Sequence, residues 1–164
     1  MPANASVTVR PAVPQDAETI IRMMDALGVV TQDPPTGLTP DDILRDGFGP
    51  EPWFIAFIAE HAGEPVGLAV AQRAYATDLG FRGLYVTELF VEDQARSKGA
   101  GRALMRAVTA HCKALGGSWV GWDVWVENKP AYAFYEALGA QHRDEVSLMI
   151  LKGKAFEALL LEGC

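Results

Sequence analysis

The chain has 164 residues, enough for one domain with a substantial buried core, and its 49% hydrophobic and 21% charged content is that of an ordinary globular protein. A formal net charge of −7 argues against nucleic acid as the main partner, since phosphate backbones select basic surfaces; it serves either solubility or the attraction of a cationic small molecule. No apolar run approaches membrane-spanning length, and Met1-Pro2-Ala3-Asn4-Ala5-Ser6 has no basic, apolar leader, so a cytoplasmic protein that engages no membrane is expected. Cys112, Cys164 and the scattered His61, His111 and His142 form neither a disulfide framework nor a ligand spacing, and no metal is expected.

In chain order, Val7 to Arg10 reads as a short strand closed by Pro11 and Pro14. Asp16 then caps a helix whose Ile20, Met24 and Leu27 form an apolar stripe. A proline-rich loop follows, and Thr39 with Pro40 starts a second helix that ends at Gly47-Phe48-Gly49-Pro50. Strands are predicted over 53–60 and 66–75, joined by the turn Ala62-Gly63-Glu64-Pro65, and again over 84–91. A helix running to about Leu115 presents Leu104, Val108, Cys112 and Leu115 on one face, and Gly116-Gly117 breaks it. A strand over 119–126, a helix capped by Asn128 and stopped by Gly139, a strand over 146–151 and a short helix or tail over 156–161 complete the chain. This order implies one α/β domain with a mixed sheet.

Between the strand over 84–91 and the next helix lie Gly99, Gly101 and the cations Arg96, Lys98 and Arg102. The first amides of a helix have no intrahelical partner and carry the positive end of its dipole, so this place can receive a phosphate. The glycines equally serve an ordinary turn, and Gly-x-Gly alone does not decide between the two.

Arg96-Ser97-Lys98-Gly99-Ala100-Gly101 resembles the pyrophosphate loop of the GCN5-related N-acetyltransferases, which reads Arg or Gln, two residues, Gly, one residue, Gly or Ala. Asn128-Lys129-Pro130-Ala131-Tyr132-Ala133-Phe134-Tyr135 resembles a second element of that family, Asn-x-x-Ala-x-x-Phe-Tyr. The two stand in the family's order, and the likeness covers nearly the whole chain. Residues 38–49 and 84–91 further resemble the diamine (spermidine/spermine) acetyltransferase branch. The chain departs from that branch at Thr87, where the branch has a substrate-binding acid, and at Val30-Thr31, where it has an aromatic–acid pair.

The resemblance implies a single domain over 1–164, with a mixed central sheet of six to seven strands, splayed between the fourth and fifth and flanked by helices. It implies an acetyl-CoA-dependent N-acetyltransferase acting by direct attack on the thioester, with a primary amine of a small molecule as acceptor (polyamine-like, amino acid or related). Protein lysine or N-terminal acetylation, and a non-catalytic acyl-CoA-binding module, are the alternatives. A homodimer is implied by the diamine branch.

By the same resemblance, Leu89, Phe90 and Val91 offer backbone to pantetheine, with an amide near Phe90 polarising the thioester. Arg96, Ser97, Lys98, Gly99, Ala100, Gly101 and Arg102 hold the pyrophosphate. Asn128 bonds the pantetheine arm as well as capping its helix. Tyr135 is the general acid for the departing thiolate, or a core residue beside Phe134. Glu88 shares a face with Val86 and Phe90 by strand alternation and is either the base, acting through water, or a structural residue at a bulge. Asp123 falls with Gly121 and Trp125 on one face of its strand, where an acid beside a tryptophan suits an ammonium group, or where the tryptophans fill the core. The base is thus Glu88, Asp123 or water, and the loop over 31–39 shapes the acceptor groove.

Overall fold

The computed structural model describes residues 6–161; most of the leading hexapeptide and Cys164 lie outside the described residues. The chain forms two compact units, one ending at Trp125 and one beginning at Val126.

The first unit contains β1 (Thr8–Pro11), α1 (Ala17–Thr31), α2 (Pro40–Phe48), β2 (Ile55–His61), β3 (Glu64–Ala76), β4 (Phe81–Val91), α3 (Ala100–Ala114) and β5 (Trp119–Trp122). The strands lie in the order β1-β2-β3-β4-β5. The first four are antiparallel neighbours, whereas β5 runs parallel to β4, a pairing that needs a crossover and receives α3.

Local chemistry accounts for most of these boundaries. Thr39 caps α2 by accepting from the Asp42 amide, Asp42 reciprocates by accepting from the Thr39 amide, and Pro40 fills the first turn. Ala62 and Gly63 both take positive φ, 54° and 84°, the geometry of a tight hairpin turn whose twist matches its strands. Gly116, at φ 77°, ends α3. At α1 the structure corrects the expected cap. Asp16 occupies the capping position but its carboxylate accepts from the Arg10 guanidinium at 2.7 and 2.9 Å and from the Val13 amide at 2.8 Å. A bidentate charged partner has displaced the weaker bond to the helix amides.

One sheet face is covered by α1 and α2, which bury Ile20, Met23 and Ile43 against Ile58, Leu68, Val70 and Phe90. Each such side chain contributes about 1.5–3 kcal/mol when fully removed from water. The other face is covered by α3. Leu104 packs where a side chain on Gly67 would stand, and Phe57 meets His111 edge-on with ring centroids 5.7 Å apart.

The second unit contains α4 (Lys129–Glu136) and α5 (Lys154–Leu161). The expected strand over 146–151 is absent, and the sheet has five strands rather than six to seven. A strand needs a hydrogen-bonded neighbour, and an apolar run in the sequence supplies none; Val146, Leu148, Met149, Ile150 and Leu151 are 51–90% exposed.

Candidate active site

The pairing of β4 with β5 runs only from Gly83↔Trp119 to Val86↔Trp122, while β4 continues to Val91. The strand predicted over 119–126 therefore stops four residues early. Among the described residues, 88–91 have a strand partner on the β3 side alone. The alternation of an antiparallel ladder fixes which groups face the open edge. The Glu92 amide donates to the Val66 carbonyl at 2.9 Å, so Phe90, two residues earlier, also directs its backbone toward β3. Leu89 and Val91 are left facing outward, and the Val91 carbonyl accepts from Arg96 Nε at 3.1 Å. Of the three residues expected to offer backbone here, Phe90 is thus committed to the ladder and its neighbours are not.

The register of β3 and β4 slips between Val70↔Glu88 and Ala71↔Val86, which makes Thr87 an extra residue. Partners across a ladder share a face, so the bulge places Glu88 with Val70, Leu68 and Phe90 on the α1/α2 side. Val86 goes with Ala71 on the α3 side. The expectation that Glu88 shares a face with both Val86 and Phe90 is corrected: it holds for Phe90 only, because alternation fails across an inserted residue. Burial, and secondarily the negative charge of Asp33, raise the pKa of the Glu88 carboxyl.

After β4 a short 3₁₀ turn, Asp93–Ala95, leads into the loop. Ser97 and Gly99 both have positive φ, 67° and 84°, and α3 starts at once behind them. The first backbone bond of α3 runs from Ala103 to the Gly99 carbonyl at 2.9 Å, so the Ala100 and Gly101 amides precede it. A side chain added at Gly99 would meet nothing within 4 Å. Positive-φ loop residues leading into a fifteen-residue helix form a concave, amide-lined place suited to an anion. Arg96 pairs with Asp93 at 2.9 Å, Lys98 Nζ lies 3.2 Å from His61 Nε2, and Arg102 lies in the first turn. The residues present therefore fit a diphosphate.

Asp123 and Trp125 lie beyond the end of β5, so the strand face expected to carry them does not exist. Asp123 instead lies near the Tyr85 hydroxyl, whose pKa is raised by burial first and by that carboxylate second. Trp125 is 60% exposed, so it does not fill the core.

On the Glu88 side of the sheet, α1, α2 and the residues just before β2 enclose a cleft of about 260 Å³ against β3 and β4. Buried Ile43 and Val70 lie at its base with Met24 and Phe54, and exposed Trp53 stands at its rim. Asp42, Asp46, Gln72 and Thr87 supply its polar groups. Sequence reading missed Asp42, Asp46 and Trp53, although Asp42 and Asp46 carry helical i, i+4 spacing that puts two acids on one face.

In the second unit, Asn128 Oδ1 accepts from the Ala131 amide at 3.2 Å and so caps α4. Tyr135 lies beside Phe134 with ring centroids 5.1 Å apart, and burial raises the pKa of its hydroxyl. Gly139, at φ 92°, stops the chain's helical course.

The mixed sheet is thus open between its fourth and fifth strands, with the start of α3 beside the opening. The acetyltransferase (GNAT) family matches residues 24–140, and the chain belongs to that family; it is an acyltransferase. The thialysine N-epsilon-acetyltransferase of Sus scrofa is 31% identical over 150 residues, 86% of this chain and 88% of that protein. An L-ornithine N5-acetyltransferase of Arabidopsis thaliana is 36% identical over 85 residues, 52% of this chain and only 37% of that protein's length. Among solved structures, an aminoglycoside N-acetyltransferase in complex with CoA has a TM-score of 0.75 at 21% identity, covering 92% of this chain and 97% of that one.

Proposed function

We propose that this acyltransferase moves an acetyl group from acetyl-CoA to a primary amine of a small molecule by direct attack on the thioester. The observation that carries the reading is the open edge of β4, which runs straight into the amide-lined start of α3. One ligand with an amide-bearing arm and a diphosphate suits both features. The relatives named for thialysine, ornithine and aminoglycosides point to amines on small molecules as the acceptor class.

Outward-facing backbone at Leu89 and Val91 receives the pantetheine arm, while Ser97, Lys98, Gly99, Ala100, Gly101 and Arg102 receive the diphosphate, with Arg96 bracing the loop. Asn128 contributes a further bond to the arm. The amine attacks as a free base, and Glu88, whose raised pKa brings it nearer neutrality, accepts the proton through water. The carbon–sulfur bond breaks, and Tyr135 donates its hydroxyl proton to the thiolate; burial keeps that hydroxyl protonated at neutral pH. Asp123, near the Tyr85 hydroxyl, serves the acceptor side with Trp125. In this reading residues 1–164 form a single N-acetyltransferase domain; the family match over 24–140 supports it. A homodimer is suggested by the likeness to the diamine branch.

The test is a transfer assay with acetyl-CoA against diamines, amino acids, aminoglycosides and lysine peptides. Transfer to small amines is expected. Transfer to peptides alone would move the acceptor to proteins, and acetyl-CoA binding without transfer to any amine would leave a binding module.

A further inference from the structure

The corner between the end of β2 and the start of α3 holds a histidine with no role in the transfer described above. We infer that His61 is a further phosphate-binding residue, its Nε2 converging with Lys98 Nζ on one phosphate oxygen of the coenzyme; this rests on the coenzyme reading above.

Strand alternation puts His61 in that corner. Phe57, Ala59 and His61 share the α3 side of β2. Phe57 meets His111 of α3 edge-on, and a side chain on Gly67 would meet both Ala59 and Leu104 of α3. The strand ends at His61, and the hairpin through Ala62 and Gly63 returns as Glu64 directly across the ladder. From the other side comes the loop before α3, in which Ser97 and Gly99, both at positive φ, bracket Lys98. Lys98 Nζ lies 3.2 Å from His61 Nε2.

The pair is mismatched whichever imidazole nitrogen carries the proton. With the proton on Nδ1, Nε2 accepts from the Lys98 ammonium. Nδ1 is then a buried N–H with no hydrogen-bond partner among the described residues, Glu64 included. That is the costlier kind of unmet group. With the proton on Nε2, the buried nitrogen is only an idle acceptor, but two N–H groups face each other across 3.2 Å. An anionic oxygen beside both removes this fault, because each nitrogen then donates to it. Donors so spaced can share one oxygen at ordinary hydrogen-bond lengths of about 2.7–3.2 Å. A phosphate oxygen suits the place better than water. It accepts without bringing hydrogens, and it carries the charge that the ammonium and the helix start favour. The coenzyme has such oxygens in its diphosphate and in its 3′-phosphate.

The deciding measurement is calorimetric titration of CoA, dephospho-CoA and inorganic diphosphate into the wild type, His61→Ala and His61→Gln. It is paired with NMR of the His61 ring nitrogens, and melting curves check that each variant is folded. His61→Ala should weaken CoA about tenfold, and His61→Gln, which keeps an N–H donor, only about threefold. On addition of CoA to the wild type, the Nε2 signal should move from its unprotonated to its protonated position. An equal loss for dephospho-CoA assigns the oxygen to the diphosphate, and a loss confined to CoA assigns it to the 3′-phosphate. If His61→Ala does not fold, His61→Gln and the ring signal decide. Unchanged CoA affinity in a folded His61→Ala, or an Nε2 signal indifferent to CoA, would overturn His61 as a ligand and leave the coenzyme reading intact. No CoA binding by the wild type, with diphosphate binding that still depends on His61, would keep the pair and remove the coenzyme reading. A wild type that binds neither would overturn both.

Discussion

Glu88 of β4 stands across from Val70 of β3, one step out of register with the pairing of Val86 and Ala71 behind it. The inserted Thr87, whose hydroxyl donates to the Val70 carbonyl at 3.4 Å, turns the carboxylate away from the α3 side and toward the cleft. The Glu88 carboxyl stands among the apolar Leu68, Val70 and Phe90, and its raised proton affinity follows from where the bulge aims it.

The first prediction concerns this residue. Its raised pKa makes its folded-state contribution greatest below the unfolded value of about 4.3 and lost as pH rises through the folded value. Glu88→Gln has no such loss, so its melting temperature should gain on the wild type as pH rises from about 4 to about 8. Turnover should fall about 100-fold, and the acid limb of the wild-type kcat profile should vanish. A variant that keeps that limb would remove Glu88 from the proton path.

Tyr135→Phe keeps the ring beside Phe134 and removes only the hydroxyl. The expected result is a fall in kcat of about 100-fold near neutral pH with CoA affinity, measured by calorimetry, within about twofold of wild type. Full turnover in a folded variant would take the acid role from this residue.

At Gly99 the added methyl of an alanine meets open space, so the penalty is purely torsional. Left-handed backbone costs an alanine about 1–2 kcal/mol, which lowers the melting temperature of a chain this size by about 2–8 °C. Gly99→Asn should lose less, because asparagine visits this conformation. Both variants should raise the KM for acetyl-CoA several-fold, and a purely structural turn would show the thermal loss without the KM change.

Asp16 binds Arg10 through both carboxylate oxygens, and this bond is the main cause of its lowered pKa. A depressed acid stabilises the fold above its unfolded value, about 3.9, and the contribution is lost as pH falls through the folded value. Asp16→Asn should therefore cost about 2 kcal/mol at pH 7, the lower part of the range for charged hydrogen bonds because Arg10 is partly solvated. Urea denaturation should show the gap narrowing toward about pH 2–3.

Much of the fold is legible because its signals are local. Thr39-Pro40 states a helix start, Ala62-Gly63 a tight turn, and the Leu104–Val108–Cys112 spacing a buried helix face, and each forms as written. What escaped depends on a partner elsewhere in the chain. Thr87 is extra only relative to β3, so nothing in 84–91 reveals that Glu88 and Val86 face opposite ways. Asp16 carries every mark of a cap, but Arg10 outbids the helix amides for its carboxylate. The apolar run over 146–151 states a preference for a sheet and forms no strand, because a strand also needs a neighbour. The acidic end of the cleft joins α2 to the residue before Phe54, a pairing made by packing and invisible to any single motif.

The unpaired stretch of β4 also bears on how the protein survives without its ligand. An edge whose outward backbone meets no strand among the described residues, with only the Val91 carbonyl held by Arg96, invites any extended peptide, including another copy in a crowded solution. A cosubstrate that takes up those groups stabilises the native state in proportion to its occupancy. Storage and purification should therefore be gentlest in saturating CoA: the same molecule that feeds the reaction acts as a guard on an exposed strand.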